Sequence, residues 1–136
     1  VGLIVAKTLV DWRDSFKASE PLLKGITFAY DPAVYTLDLW PRAVLSVRVN
    51  PSPLGSFAVV PWEATEVLQI PVDSQKGVEF GDTIHALVRR MRGRNFVTDR
   101  CRIWQCLLSG EPQLALVGSA REAVLTWRGT ASWELT

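Results

Sequence analysis

From Ala43 to Val49 the side chains take turns. Ala43, Leu45, Val47 and Val49 fall on one side, and Val44, Ser46 and Arg48 on the other. A two-residue period of this kind is what a strand buried on one face requires. A chain built from many such segments must fold as a sheet whose apolar face finds a cover.

The same reading extends along the chain. Strands are expected over Leu3 to Val10, Ile26 to Tyr30, Tyr35 to Leu39, Ser56 to Trp62 and Val67 to Val72. Alternation returns over Phe96 to Leu108, and Gln113 to Val117 is expected to pair with it as a hairpin across Ser109-Gly110-Glu111-Pro112. Ala123 to Trp127 and Ala131 to Leu135 read as two further strands joined around Arg128-Gly129-Thr130. Asp11 to Leu23 and Asp73 to Gly81 read as loops, the latter with a tiny hairpin at Val78-Glu79-Phe80. Asn50-Pro51-Ser52-Pro53-Leu54-Gly55 is the strongest turn signal.

One segment breaks the two-residue period. Ile84, Leu87, Val88 and Met91 sit at i, i+3, i+4 and i+7, so Thr83 to Arg92 is expected to be a short helix, with Asp82 capping its start and Gly93 its end. Roughly eight to ten short strands with regular turn signals predict a mostly β fold. The expected form is an antiparallel β-sandwich or small barrel with that one helix. Its core is expected to draw on Leu45, Val47, Val49, Val59, Leu68, Ile70, Ile103 and Leu125. No repeat or linker divides residues 1–136, so a single domain is expected.

Composition fits this. The chain is 48% hydrophobic and 21% charged, a balance that folds around a core without a metal or disulfide staple. No apolar run approaches the ~20 residues needed to span a membrane as a helix. The opening Val1 to Ala6 lacks the basic start of a secretion signal. A cytoplasmic or virion location is the matching expectation.

Residues that carry chemistry are few. Cys101 and Cys106 lie five apart on one expected strand, which would point them to opposite faces and away from a disulfide. His85 is the one histidine, and its spacing from the cysteines matches no zinc pattern. It reads as a solvated helix-face side chain. The acid pairs Asp11 with Asp14 and Glu63 with Glu66 read as surface carboxylates. There is no glycine-rich phosphate loop and no nucleophile motif. The expectation is therefore no enzyme, no metal and no cofactor.

Two features point to contact with other molecules. Arg89, Arg90, Arg92, Arg94, Arg100 and Arg102 face a single acid, Asp99, between Ile84 and Arg102. That stretch carries +5 and, with a net charge of +1, the rest carries −4. Guanidiniums so grouped bind carboxylates or phosphates. The six tryptophans are many for this length. Trp104 and Trp127 sit inside alternating strands and read as core. Trp12, Trp40 and Trp62 flank turns or prolines and are the expected exposed anchors.

Leu37 to Val49 resembles the strand, turn and alternating strand that open immunoglobulin-like β-sandwich domains of bacteriophage tail and baseplate proteins. Trp104 to Gly118 is similar to the hairpin that closes those domains. The resemblance covers about a fifth of the chain and implies a structural role, assembling through strand edges and loops. The resulting expectation is a non-enzymatic structural or interaction module, in a virion, whose partners are other protein subunits in a homo- or hetero-oligomer. A nucleic-acid-binding domain using Arg89 to Arg102 is the alternative, and a small-ligand β-barrel is the next.

Overall fold

The computed structural model describes residues 2–30, 41–49 and 59–133. Helix α1 (Gly2–Lys17) leads to β1 (Thr27–Tyr30), β2 (Arg42–Val49) and β3 (Val59–Pro71). Helix α2 (Gly77–Met91) follows, then β4 (Phe96–Val97), β5 (Cys101–Leu108), β6 (Gln113–Val117) and β7 (Ala120–Trp133). The expected strand at 35–39 lies outside the described residues, as do Trp40 and the turn at 50–55.

The mostly β expectation holds, and the described strands form one curled, open sheet, a half-barrel backed by two helices. Strand order is β1-β2-β3-β7-β5-β4, with β6 also paired to β7. β1 runs parallel to β2, and the other pairings are antiparallel. Among the described residues the layer that backs this sheet is helical, where a sandwich would place a second sheet. A ligand barrel needs an open interior, yet here Val5, Leu9, Trp12 and Phe16 of α1 are buried within the core.

The first correction is α1 itself. Residues 3–10 form no strand, and Asp11 to Lys17 continue the helix. Val5, Ala6, Thr8, Leu9, Trp12, Arg13 and Phe16 are its buried positions, spaced three and four apart. β-Branched content suggested a strand, and Arg13 in the middle of the buried stripe hid the helical period. Helix α2 also begins earlier than expected, at Gly77, so the hairpin at 78–80 is absent and Asp82 lies inside the helix. Phe80 and Thr83 extend its buried face to the first turn. Gly93, at φ 71°, follows its end and donates its N–H to the Cys106 carbonyl at 2.7 Å.

The second correction concerns length. Within the segments expected at 56–62 and 67–72, the described residues 59–62 and 67–71 belong to one 13-residue strand, β3, and residues 56–58 lie outside the described residues. Those expected at 123–127 and 131–135 meet in the 14-residue β7, which holds 123–127 and 131–133, and residues 134–135 lie outside the described residues. The two strands pair from Val59↔Ser132 to Pro71↔Ala120 and form the spine of the sheet. Pro61 lies inside β3, one position beyond its last described pairing with β2, Val49↔Trp62. Gly129 lies within β7 at a point where Trp62 packs directly on the strand. A Cβ there would sit 2.8 Å from Trp62 Cζ2 and 2.9 Å from the Trp104 carbonyl oxygen.

The third correction is a bulge. β5 slips by one residue against β7 between Trp104 and Leu107, with Gln105 at φ 54°. The extra residue inverts the alternation, so Cys101 and Cys106 both face the core instead of opposite sides. Of the expected core residues, Leu45, Leu68, Ile70, Ile103 and Leu125 are fully buried and Val47 and Val49 pack at its edge. Val59 is instead 52% exposed, one position beyond the buried Val60.

Helix and sheet meet at a buried ion pair. Arg13 Nη2 donates to Glu66 Oε1 at 2.8 Å, and both side chains are fully shielded from solvent. Trp127 Nε1 donates to the same oxygen at 3.0 Å, and Arg13 Nη1 donates to the Leu9 carbonyl at 3.0 Å. The guanidinium also lies over the Trp127 ring, 5.8 Å from its centroid.

Two stability predictions follow from this packing. Gly129→Ala should cost about 1–3 kcal/mol in urea unfolding, because neither the indole nor the backbone oxygen can give way freely. Arg13→Met or Glu66→Met alone should cost about 3–5 kcal/mol, since each strands a buried charge, whereas the double variant should recover most of that loss. Additive losses would show that the two side chains do not act as a pair.

Candidate interaction site

The arginine stretch does not form one surface. Arg89 and Arg90 occupy the last turn of α2 and reach Glu20 in the segment after α1. Arg90 Nε donates to Glu20 Oε1 at 2.7 Å and Arg89 Nη2 to the same oxygen at 3.3 Å. Arg90 Nη2 also donates to Ser19 Oγ at 3.2 Å and lies over the Phe16 ring. Arg94 joins them, its Nε donating to the Arg89 carbonyl at 3.4 Å. These three line a cleft of about 450 Å³ together with Trp12, Ser15, Phe16 and Glu20. Three guanidiniums against one carboxylate leave the cleft positive.

Arg92, Arg100 and Arg102 are exposed outside it. Arg102 alternates with the buried Cys101 and Ile103, so it projects from the sheet face opposite the helices. The expected six-residue patch is thus split between the two sides of the sheet.

The tryptophan expectation needs correcting as well. Trp12 is 5% exposed and stacks on Phe96 with centroids 5.6 Å apart and planes 7° from parallel. Trp62 is 2% exposed, under the β3–β7 spine. Trp12 lends only its rim to the cleft, and neither ring is an exposed anchor. Flanking prolines and turns had suggested exposure, but α1 carries Trp12 inward and the alternation of β3 does the same for Trp62.

The remaining titratable groups are dispersed. His85 is exposed on α2. Asp11 and Asp14 are exposed and pair with Lys7 at 3.5 Å and Lys17 at 3.6 Å. Glu63 is exposed whereas Glu66 is buried, because three residues along a strand lie on opposite faces. Among the described residues no three His, Cys, Asp or Glu side chains converge as a metal site would require. Burial pushes the Cys106 thiol up to about 12, with smaller effects of Arg13, which lowers it, and Glu66, which raises it further. Burial likewise raises Cys101, against a hydrogen bond with Thr8. Both are free thiols and poor nucleophiles at neutral pH.

The feature that the sequence reading missed is β6. All five of its residues are exposed, among them Leu114 at 61%, Leu116 at 67% and Val117 at 50%. It does not pair with β5. Both lie in tandem along one edge of β7, β5 against 127–133 and β6 against 120–124. The partner of β6 was signalled by Gly118-Ser119, a two-residue turn between Val117 and Ala120 with Gly118 at φ 60°.

No protein-family model and no curated protein matches the chain. Among the described residues no helix is long and apolar enough to cross a membrane.

The cleft yields a pH prediction. The hydrogen bond from Arg90, aided by Arg89, holds the Glu20 carboxyl below its ordinary value of 4.5, although partial burial opposes this. The folded state therefore holds that proton less tightly than the unfolded chain. The stabilisation is complete above 4.5 and is lost as pH falls through the lower folded value. Glu20→Gln should flatten that acid limb in a series of urea unfolding curves. Superimposable acid limbs would remove the assignment.

Proposed function

We propose that the protein is a non-enzymatic structural or interaction module that works by joining other protein subunits. The observation that carries this is β6, among the described residues an edge strand with three exposed large apolar side chains and no charge. Edge strands are normally blunted by lysine, proline or a covering element because unpaired N–H and C=O groups recruit other strands. Gln113-Leu114-Ala115-Leu116-Val117 holds neither lysine nor proline.

A virion setting rests on the resemblance of residues 37–49 and 104–118 to phage tail and baseplate domains. The first stretch contains β2, which is a regular alternating strand. The second does not form the closing hairpin, since its two strands both pair with β7. Assembly through strand edges is the part of that reading that β6 supports. The nucleic-acid alternative loses ground because Glu20 already engages Arg89 and Arg90 while Arg102 faces away.

Native mass spectrometry of the full chain at micromolar concentration should show an oligomer, or a complex with a co-expressed subunit. A protein that stays monomeric and binds no subunit under these conditions would count decisively against an assembly role.

A further inference from the structure

The geometry points to a second copy of this chain as the occupant of the β6 edge, paired antiparallel about a two-fold axis at Ala115. This rests on the interaction-module reading above and names its partner and register.

Backbone phase comes first. The two-residue Gly118-Ser119 turn makes Val117 and Ala120 the pair that closes the hairpin. Residues flanking such a turn exchange hydrogen bonds, and bonding direction then alternates along the strand. Val117, Ala115 and Gln113 thus direct their N–H and C=O groups to β7. Leu114 and Leu116 direct theirs away from it, along an edge that no described strand covers.

These outward groups limit the register. Pro112, next in the same phase, has no N–H to offer. Centring the pair on Leu114 would set Leu116 against that proline. Centring it on Leu116 would set Leu114 against the turn glycine. Only a centre at Ala115 places Leu114 opposite Leu116 of the second copy and Leu116 opposite Leu114. All four outward N–H and C=O pairs are then used.

Side chains and charge agree with this register. Leu114 pairs with Ala123 across the β6–β7 ladder, so both leucines lie on the sheet face that carries Ala123, Leu125 and Trp127 into the core. The helices leave this end of that face open, as the exposure of both leucines shows. A second β6 lays two more leucines beside them. No residue from Gln113 to Val117 is charged, so identical strands meet without like-charge repulsion, and nothing in the strand attracts a charged one. A two-fold pairing also closes on itself and leaves no further edge at β6.

A cysteine at the axis tests this on the full chain. Ala115 would face its own copy in a non-hydrogen-bonded pair, with Cα atoms about 4.5 Å apart, inside the disulfide range of about 4.4–6.8 Å. Under mild oxidation Ala115→Cys should therefore form a covalent dimer on non-reducing gels. Val117→Cys, which would face Gln113 of the other copy, should stay monomeric. The native thiols are buried and stay out of the reaction. Leu116→Lys should raise the dimer dissociation constant more than about tenfold by light scattering while leaving circular dichroism unchanged.

Equal cross-linking of both cysteine variants would overturn the register. Failure of Ala115→Cys to cross-link while the unmodified chain is oligomeric, or an oligomer indifferent to Leu116→Lys, would overturn the β6 pairing and leave the interaction-module reading standing. A chain that is monomeric and binds no subunit would remove both.

Discussion

The fold turns on the contact among Arg13, Glu66 and Trp127. It joins α1 to β3 and β7, the two strands that pair along their whole length. An ion pair sealed from water gains little net stability over an apolar pair of similar shape, because desolvation offsets the attraction. What it supplies is position. Glu66 accepts from two donors on different elements, and Arg13 is held by its own helix through Leu9. Sliding α1 by a turn, or β3 by one residue, would strand a charge in the core. An apolar contact would tolerate either slip by repacking. The helix is thus locked to one place on a curved sheet that offers many similar apolar perches.

That lock also explains the arginine cleft. With Arg13 fixed, the last turn of α1 brings Phe16 against Arg90, and the following segment brings Glu20 between Arg89 and Arg90. One acid from a polar loop divides a run of six arginines into a group tied to α1 and a group left exposed. Charge counted along the sequence therefore overstates the positive surface. Pairing at Glu20 spends part of it, and the β5 pleat sends Arg102 to the far side.

The sequence made the β content legible through local patterns: β2 at Ala43 to Val49, the core residues of β3, β5 and β7, and the helical period around Ile84 to Met91. It failed where tertiary structure overrides a local signal. Arg13 in a buried stripe disguised α1, and Pro61 and Gly129 looked like breaks inside strands that continue through them. The bulge at Gln105 turned Cys106 inward, against simple alternation. The Trp12 and Trp62 anchors failed for the same reason, since a residue beside a turn is buried or exposed according to what packs over it. The β6 edge was legible in part. Gly118-Ser119 names a hairpin, but the competing turn at Ser109 to Pro112 looked stronger and assigned β6 to the wrong partner.

That misassignment hides a physical question. Had β6 paired with β5, both would lie within one hairpin and the apolar residues of β6 would need no further explanation. In tandem along β7 they form a single interrupted edge, and among the described residues the β5 half gains a neighbouring strand, β4, and packs against both helices. The β6 half keeps the core face's chemistry, Leu114 and Leu116 in line with Ala123, after the layer that covers that face has ended. A one-residue shift of β6 against β7 would turn both leucines to the opposite face. The register fixed by the Gly118-Ser119 turn holds them in line instead. Apolar residues kept in core register beyond the core describe a sheet whose hydrophobic layer is continued by something outside the chain.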